Sequence, residues 1–354
     1  MNGTTGHAHL WDGGPGWLNT ASYGLPPRAA WDALQGALDE WRTGGADWET
    51  WDRSTDRARR SFARLVGAEV SDVAVGSTVA AALAPVATAL PDDAVVLVDE
   101  TEFTSAVFPW QVHASRGVRV VSTPGPELVD AIRPGVDVVS VSAVQSSTGA
   151  VLDLPAVVAA CEEAGARLVL DASQAAGWLP LDVSGVDVLV AHSYKWMMSP
   201  RGATFCYLSS RIREELRPLN ASWYAAADVM GSYYGTRMDL ASDARRFDQS
   251  PAWFSLVGAA AALEVIEEIG VPVIHAHDVA LANRFRAGLG LPPGSSAVVS
   301  TYHPGSQEAF ADAGLRAAVR NDRLRVSFHV YNTDADVDLA LDALSGADRA
   351  GRGH

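Results

Sequence analysis

A chain of 354 residues with 48% hydrophobic and 19% charged side chains has the composition of a globular enzyme and the length for two domains or one large one. Its 27 basic and 42 acidic residues give a formal net charge of −15, which argues against nucleic acid or an anionic membrane as partner. The two cysteines, Cys161 and Cys206, make no disulfide framework and fit a reducing cytoplasm.

No basic start or apolar core of a signal peptide is present at the N-terminus. The longest apolar stretch, 79–90, is too short to cross a bilayer and contains Pro85. In chain order, a turn-rich segment over 17–27 ends on Pro26 and Pro27 and leads to a helix over 28–41. A charged amphipathic helix follows over 52–66. A short strand, 72–75, then runs into Gly76, Ser77 and Thr78, which open an Ala-rich helix to residue 90. Such a turn is at least an N-cap, and its free N–H groups and hydroxyls also make an anion site. Strands over 94–98, 118–121 and 136–144 alternate with helical stretches over 127–132 and 154–164. Strand–helix alternation of this kind predicts a mostly parallel, doubly wound α/β sheet. No G-x-G-x-x-G follows a predicted strand, so a dinucleotide site is unsupported.

The stretch 167–208 carries the chemistry. One apolar strand ends on Asp171, and a second, 186–191, ends before His192, Ser193, Tyr194 and Lys195. Ligands in such sheets sit outside the carboxyl ends of the strands. A lysine abutting buried strands is desolvated, which lowers its pKa and makes it a usable nucleophile. Paired with a carboxylate, it meets the needs of a pyridoxal phosphate site: the lysine forms the Schiff base and the acid keeps the ring nitrogen protonated. Beyond 208, a helix to about 216 and a loop-rich aromatic segment over 220–247 precede helices over 252–269 and 272–289. Strands over 297–301 and 323–328 and helices over 307–313 and 334–344 complete a small α+β part. The expected boundaries are a large domain over 28–251, a small domain made of 1–27 with 252–347, and a disordered tail over 348–354.

Asp171-x-x-Gln174, Ser193-Tyr194-Lys195-Trp196 and Pro200-Arg201-Gly202 together resemble the signature of class V aminotransferase-fold enzymes, which are fold-type I (aspartate-aminotransferase-like) pyridoxal phosphate enzymes. The resemblance runs from residue 18 to 344. It implies that Lys195 and Asp171 are catalytic, with Gln174 on the ring hydroxyl and Ser77, Thr78 and Val79 on the phosphate. It places Phe103 in stacking contact with the cofactor, with Gln145, His192 and Tyr194 around it. Ser250, in a segment similar to the family's Arg-Phe-Glu-x-Gly-Thr but with Gln249 in place of glycine, would reach the phosphate of the partner subunit. Arg325 would hold the substrate carboxylate as a planar, bidentate clamp. Asn19 and Tyr23 of the N-terminal segment would line the substrate side.

Persulfide-forming desulfurases need a mobile cysteine before the arginine strand, and 315–324 reads LRAAVRNDRL. Tyr194 and the loop 144–149 are closer to kynureninase and isopenicillin-epimerase-like members. The expected function is therefore pyridoxal 5'-phosphate chemistry on an amino acid or related primary amine, first as an aminotransferase. β-Elimination of the C–S lyase type or kynureninase-like cleavage is the alternative, and a cofactor-binding protein without turnover the distant one. A cytoplasmic homodimer with shared active sites follows from the same resemblance. His275 and His277, two apart on one helix, point to different faces and are not read as metal ligands; His7 and His9 are read as part of a mobile tail. The arginines of 52–66 are read as a solvated or subunit-facing surface. Trp31, Trp41, Trp48 and Trp51 are expected to pack the first helices or a subunit contact.

Overall fold

Short β-branched runs that alternate with helices cannot bury both faces in a flat ribbon, and they form a covered sheet. The computed structural model describes the backbone of residues 7–351 and the side chains of 7–345. Helices α1 (Arg28–Thr43) and α2 (Trp48–Val66) precede β1 (Val73–Gly76), α3 (Val79–Thr88), β2 (Val95–Asp99) and the single turn α4 (Phe108–Gln111). There follow β3 (Arg119–Thr123), the turn α5 (Leu128–Ala131), β4 (Val138–Ser142), α6 (Leu154–Ala164), β5 (Arg167–Asp171), β6 (Val188–His192), β7 (Thr204–Leu208) and the turn α7 (Ser210–Arg213). The remainder is α8 (Trp253–Ile269), α9 (Val271–Gly288), β8 (Val298–Thr301), α10 (Ser306–Asp312), β9 (Ala318–Arg320), β10 (Arg323–Ser327) and α11 (Asp334–Gly351). The last three residues of the expected tail, and the N-terminal hexapeptide, lie outside the described residues.

Strands β1 to β7 form one sheet in the order β1-β7-β6-β5-β4-β2-β3. Strands β6, β5, β4, β2 and β3 pair in parallel, while β7 runs antiparallel to both β6 and β1. The mostly parallel α/β sheet expected from the sequence is thus present, with one reversed strand. Apolar side chains fill both of its faces: Leu97, Leu168, Leu170 and Leu189 on one, Val96, Val138, Val188 and Val190 on the other. A second sheet, β8-β10-β9, is antiparallel and packs Leu324, Val326 and Phe328 against α9 and α11. The N-terminal segment joins its edge through Asn19 to Ser327 and Trp17 to Arg316.

Helix α2 departs from the expected solvated surface. Arg57 and Arg64 bond Glu264 and Glu267 of α8. Arg59 is only 2% exposed and holds Asp248, 1% exposed, through Nη2 at 2.6 Å and Nη1 at 3.0 Å. Nη1 also donates to the Val73 carbonyl, and Asp248 accepts the Val75 amide. One buried ion pair therefore ties α2, β1 and the 244–250 segment together. Spacing alone could not separate Arg59 from its exposed neighbours, because its partner lies 189 residues away.

Removing one member strands a buried charge, which costs about 3–5 kcal/mol. Asp248→Ala should lower unfolding stability by that amount in urea titrations, and Arg59→Met combined with Asp248→Leu should recover most of it. An Asp248→Ala protein that unfolds at the wild-type urea concentration would show that the pair does not hold this corner.

Candidate active site

Register places the chemistry on one edge. Asp171 closes β5 opposite Ser142 of β4, and His192 closes β6 opposite Thr204, which in turn faces Gly76 of β1. The carboxyl ends of four parallel strands thus carry Ser142, Asp171, His192 and the Gly76 turn. The Thr78 hydroxyl caps α3 by accepting the Ala81 amide at 3.2 Å. The amides of Val79 and Ala80 are left as free helix-start donors, a fitting seat for a phosphate. The Ser77 hydroxyl donates to the Gln249 side-chain carbonyl at 2.9 Å, so the 246–250 segment abuts this turn. Ser250 stands exposed beside it.

Lys195 sits in a tight turn after β6 and is 9% exposed. Burial pulls its ammonium pKa down to about 8; Asp171 opposes that, while Arg325, Arg201 and Arg320 reinforce it. Its Nζ lies 5.7 Å from the centre of the Phe103 ring and 5.9 Å from that of Tyr194. Phe103 is 53% exposed, an open aromatic face next to a buried amine. The Asp171 Oδ1 atom accepts the Ser173 amide at 2.8 Å, and Oδ2 has no bond among the described residues. The ring of His192 is bonded between Nδ1 and the Thr204 hydroxyl at 2.9 Å. Burial first, then Lys195 and Arg201, push its pKa down to about 4, so the ring is neutral near pH 7.

Arg325 projects from β10 toward the same place and is fully buried. Nη1 donates to the Ser146 carbonyl at 2.6 Å and Nη2 to the Ser22 hydroxyl at 3.0 Å. Its Nε has no partner among the described residues. A buried guanidinium with an unused N–H is a site waiting for an acceptor. The Ser22 hydroxyl donates in turn to Asn19 Oδ1 at 2.7 Å. Asn19 therefore reaches the arginine through Ser22. Tyr23 packs its ring against Trp17 at 4.4 Å, tilted by 47°, and is half exposed.

Two expected cofactor contacts are engaged inside the protein. Gln174 donates to Ala21 O at 2.9 Å and Ser146 Oγ at 3.2 Å and accepts the Trp196 indole N–H at 2.8 Å. Gln145 spends its amide on its own loop, accepting from Ser147 N and Thr148 N and donating to Thr101 O. The sequence reading passed over Glu102, whose carboxylate accepts the Ser142 amide and hydroxyl at 2.7 and 2.5 Å. Burial raises its pKa to about 6 against those bonds, with Asp171 adding to the rise. It also passed over Ser22, Ser146 and Arg201, whose guanidinium covers the Tyr194 ring at 5.0 Å. The sequence signals were the place of Arg201 in Pro200-Arg201-Gly202 and of Ser146 in the 144–149 loop; nothing local marked Ser22. Cys161 and Cys206 are buried, and burial pushes both thiols up to about 12, far from a nucleophile's range. The 315–324 stretch forms β9, a two-residue turn and the start of β10. His275 stacks on Trp178 at 5.6 Å, and His277 faces Asp278 at 3.0 Å.

The donor set fits pyridoxal phosphate: a buried amine, an open carboxylate oxygen, a flanking ring and free helix-start amides lie on one edge. The model of the aminotransferase class-V family matches residues 47–305. The aminotransferase YcbU of Bacillus subtilis (strain 168) is 29% identical over 88% of this chain and 89% of its own length. Isopenicillin N epimerase of Streptomyces clavuligerus is 30% identical over 93% of this chain and 94% of its own. Among solved structures, a C-DES variant with glycine covalently linked to its PLP cofactor matches with a TM-score of 0.85, at 18% identity over 95% of this chain and 98% of its own, a likeness of fold. By the span of that family match and the length of those alignments, this chain is a class-V aminotransferase-family enzyme, dependent on pyridoxal 5'-phosphate.

Proposed function

We propose that the protein is an aminotransferase acting on an amino acid or related primary amine, and that it works as a homodimer. The observation that carries this reading is Lys195: a buried amine whose pKa is drawn down to about 8, set between the Phe103 ring and the Asp171 carboxylate. Bound here, pyridoxal phosphate supplies an electron sink for the charge left when a bond at the substrate Cα breaks. Asp171 offers its free oxygen as the acceptor for a ring N–H. Arg325 takes the substrate carboxylate, using the N–H groups that the protein leaves over. Lys195, neutral above about 8, accepts and returns the proton at the substrate Cα. A β9–β10 turn without cysteine, and two buried thiols, leave a persulfide relay no nucleophile. Trp31, Trp41, Met238 and Tyr234, the last 97% exposed, are large apolar side chains left in solvent that a second copy of the chain could cover.

Purified protein should carry a visible absorption band from lysine-bound cofactor, and Lys195→Ala should lose both band and turnover; a colourless wild type that takes up no added cofactor would sink the reading. Nitrogen-labelled amino acids, each offered with a keto acid, should yield labelled product amino acid. Release of pyruvate or a thiol without any need for keto acid would instead assign β-elimination. Capture of cofactor by stripped enzyme should speed up about tenfold per pH unit below about 8 and flatten above it, because only the neutral amine reacts. In Asp171→Asn the plateau should begin at lower pH, since the carboxylate is what holds the ammonium's pKa up. Light scattering should give twice the chain mass.

A further inference from the structure

Side chains two apart on a strand share a face, and directly paired residues of neighbouring strands share it too. In the small sheet Arg325 pairs with Ala318, and Arg323 pairs with Arg320. Arg320 is therefore on the same face of the sheet as Arg325, one step toward solvent. That face is the active-site face, since Leu324 and Val326 of the opposite one are buried in the small-domain core. The tight β9–β10 turn, with Asn321 and Asp322 at positive φ, fixes the hairpin that presents it.

The three arginines of this face are not equivalent. Arg325 is buried and tied to Ser146 and Ser22. Arg323 donates to the hydroxyl and carbonyl of Ser300. Arg320 donates only to the carbonyl of its neighbour Val319 and forms no ion pair among the described residues. Its charge nevertheless reaches inward, depressing the pKa of both Lys195 and Arg325. Arg320 also lines a cleft of about 430 Å3 with Asn19, Gln307, Arg316, Val319 and Leu324, which adjoins the site without including Lys195 or Arg325. In a chain of net charge −15, Arg320 and Arg325 thus make this face of the small sheet locally cationic. One carboxylate on Arg325 leaves the Arg320 guanidinium without a carboxylate of its own, and a second carboxylate on the same ligand would pair with it.

We propose that the substrate is an amino acid whose side chain ends in a second carboxylate, with Arg325 taking the α-carboxylate and Arg320 the distal one. This rests on the aminotransferase reading of the site and names its substrate class. Arg320 acts as a specificity residue: a site built to pair a charged group leaves its own charge unpaired when a neutral analogue binds.

The test uses the holoenzyme and two kinds of ligand. Glutamate, aspartate and 2-aminoadipate are compared with glutamine, asparagine and norleucine, reading dissociation constants from the change in the cofactor spectrum. Glutarate is compared with butyrate by calorimetry, which reports binding whatever the state of the cofactor. Acidic ligands should bind about tenfold or more tightly than their neutral counterparts. Arg320→Gln should erase that ratio, and Arg323→Gln should keep it. Equal binding of glutarate and butyrate, or a ratio untouched by Arg320→Gln, overturns the proposal. If neutral amino acids change the spectrum as well as acidic ones do, this inference fails and the aminotransferase reading stands; if no amino acid changes it while glutarate still outbinds butyrate, the reverse holds.

Discussion

Everything at this site depends on keeping an ammonium-bearing turn out of water. Residues 193–199 are held from three directions by backbone contacts. Gly24 donates its N–H to the Tyr194 carbonyl at 3.0 Å, and a Cβ there would collide with the Lys195 carbonyl. Gly177, after β5, comes as close to the Trp196 carbonyl. From just after β10, His329 Nε2 donates to that same carbonyl at 2.9 Å, and its Nδ1 faces the buried Asp278 carboxylate at 2.8 Å. The Trp196 indole then donates to Gln174, and Gln174 to Ser146, whose carbonyl accepts from Arg325. The amine and the carboxylate clamp, 130 positions apart in sequence, are thereby joined by one continuous hydrogen-bonded chain. Rigid support of this kind lets a catalytic group keep its position while its charge changes.

The electrostatics follow from that enclosure. Burial alone disfavours the charged form of Lys195, and a lone carboxylate, Asp171, partly restores it. Glu102 stands behind Asp171 and is itself raised to about 6, chiefly by burial. Asp171, whose Oδ2 has no bond among the described residues, is the carboxylate left to meet a cation. Arginines occupy the opposite flank. The site therefore has an acid floor and a basic mouth, and the amine lies between them.

The sheet was legible because its strands are runs such as VVLVD and RLVLD, bounded by turn residues and spaced by helices. The lysine and its acid partner were legible through their positions at strand ends, and the arginine through the resemblance of its segment to the family's small-domain strand. Arg59 was not, because nothing in the pattern of α2 separates it from Arg57 or Arg60; only the fold brings Asp248 to it. Strand β9 was missed for a different reason: three residues, AVR, carry no periodicity, and the strand exists only because β10 supplies the partner. Gln174 and Gln145 mark the limit of motif reading. Both hold the positions that the resemblance implies, yet their amides are engaged in holding Ala21, Ser146 and the 145–149 loop. A side chain's place in a motif says where it is, and its hydrogen-bond partners say what capacity it has left.

That difference bears on why the reaction is harder to read than the cofactor. Holding the cofactor needs groups at fixed points of a rigid edge, and β-sheet register supplies those points. Choosing among reactions depends on which group reaches the substrate's side chain, and the segments beside Arg325 are the N-terminal one, through Ser22 and Asn19, and the β9–β10 hairpin. These segments lie at opposite ends of the chain and meet only once the small sheet has formed. Arg320 illustrates the consequence. In sequence it is one arginine among several in an acidic protein. Its meaning comes from a pairing register, Arg325 opposite Ala318, that places it on the clamp's face with its charge uncompensated. Substrate choice in this fold is thus written into the geometry of the small sheet rather than into the lysine turn that identifies the family.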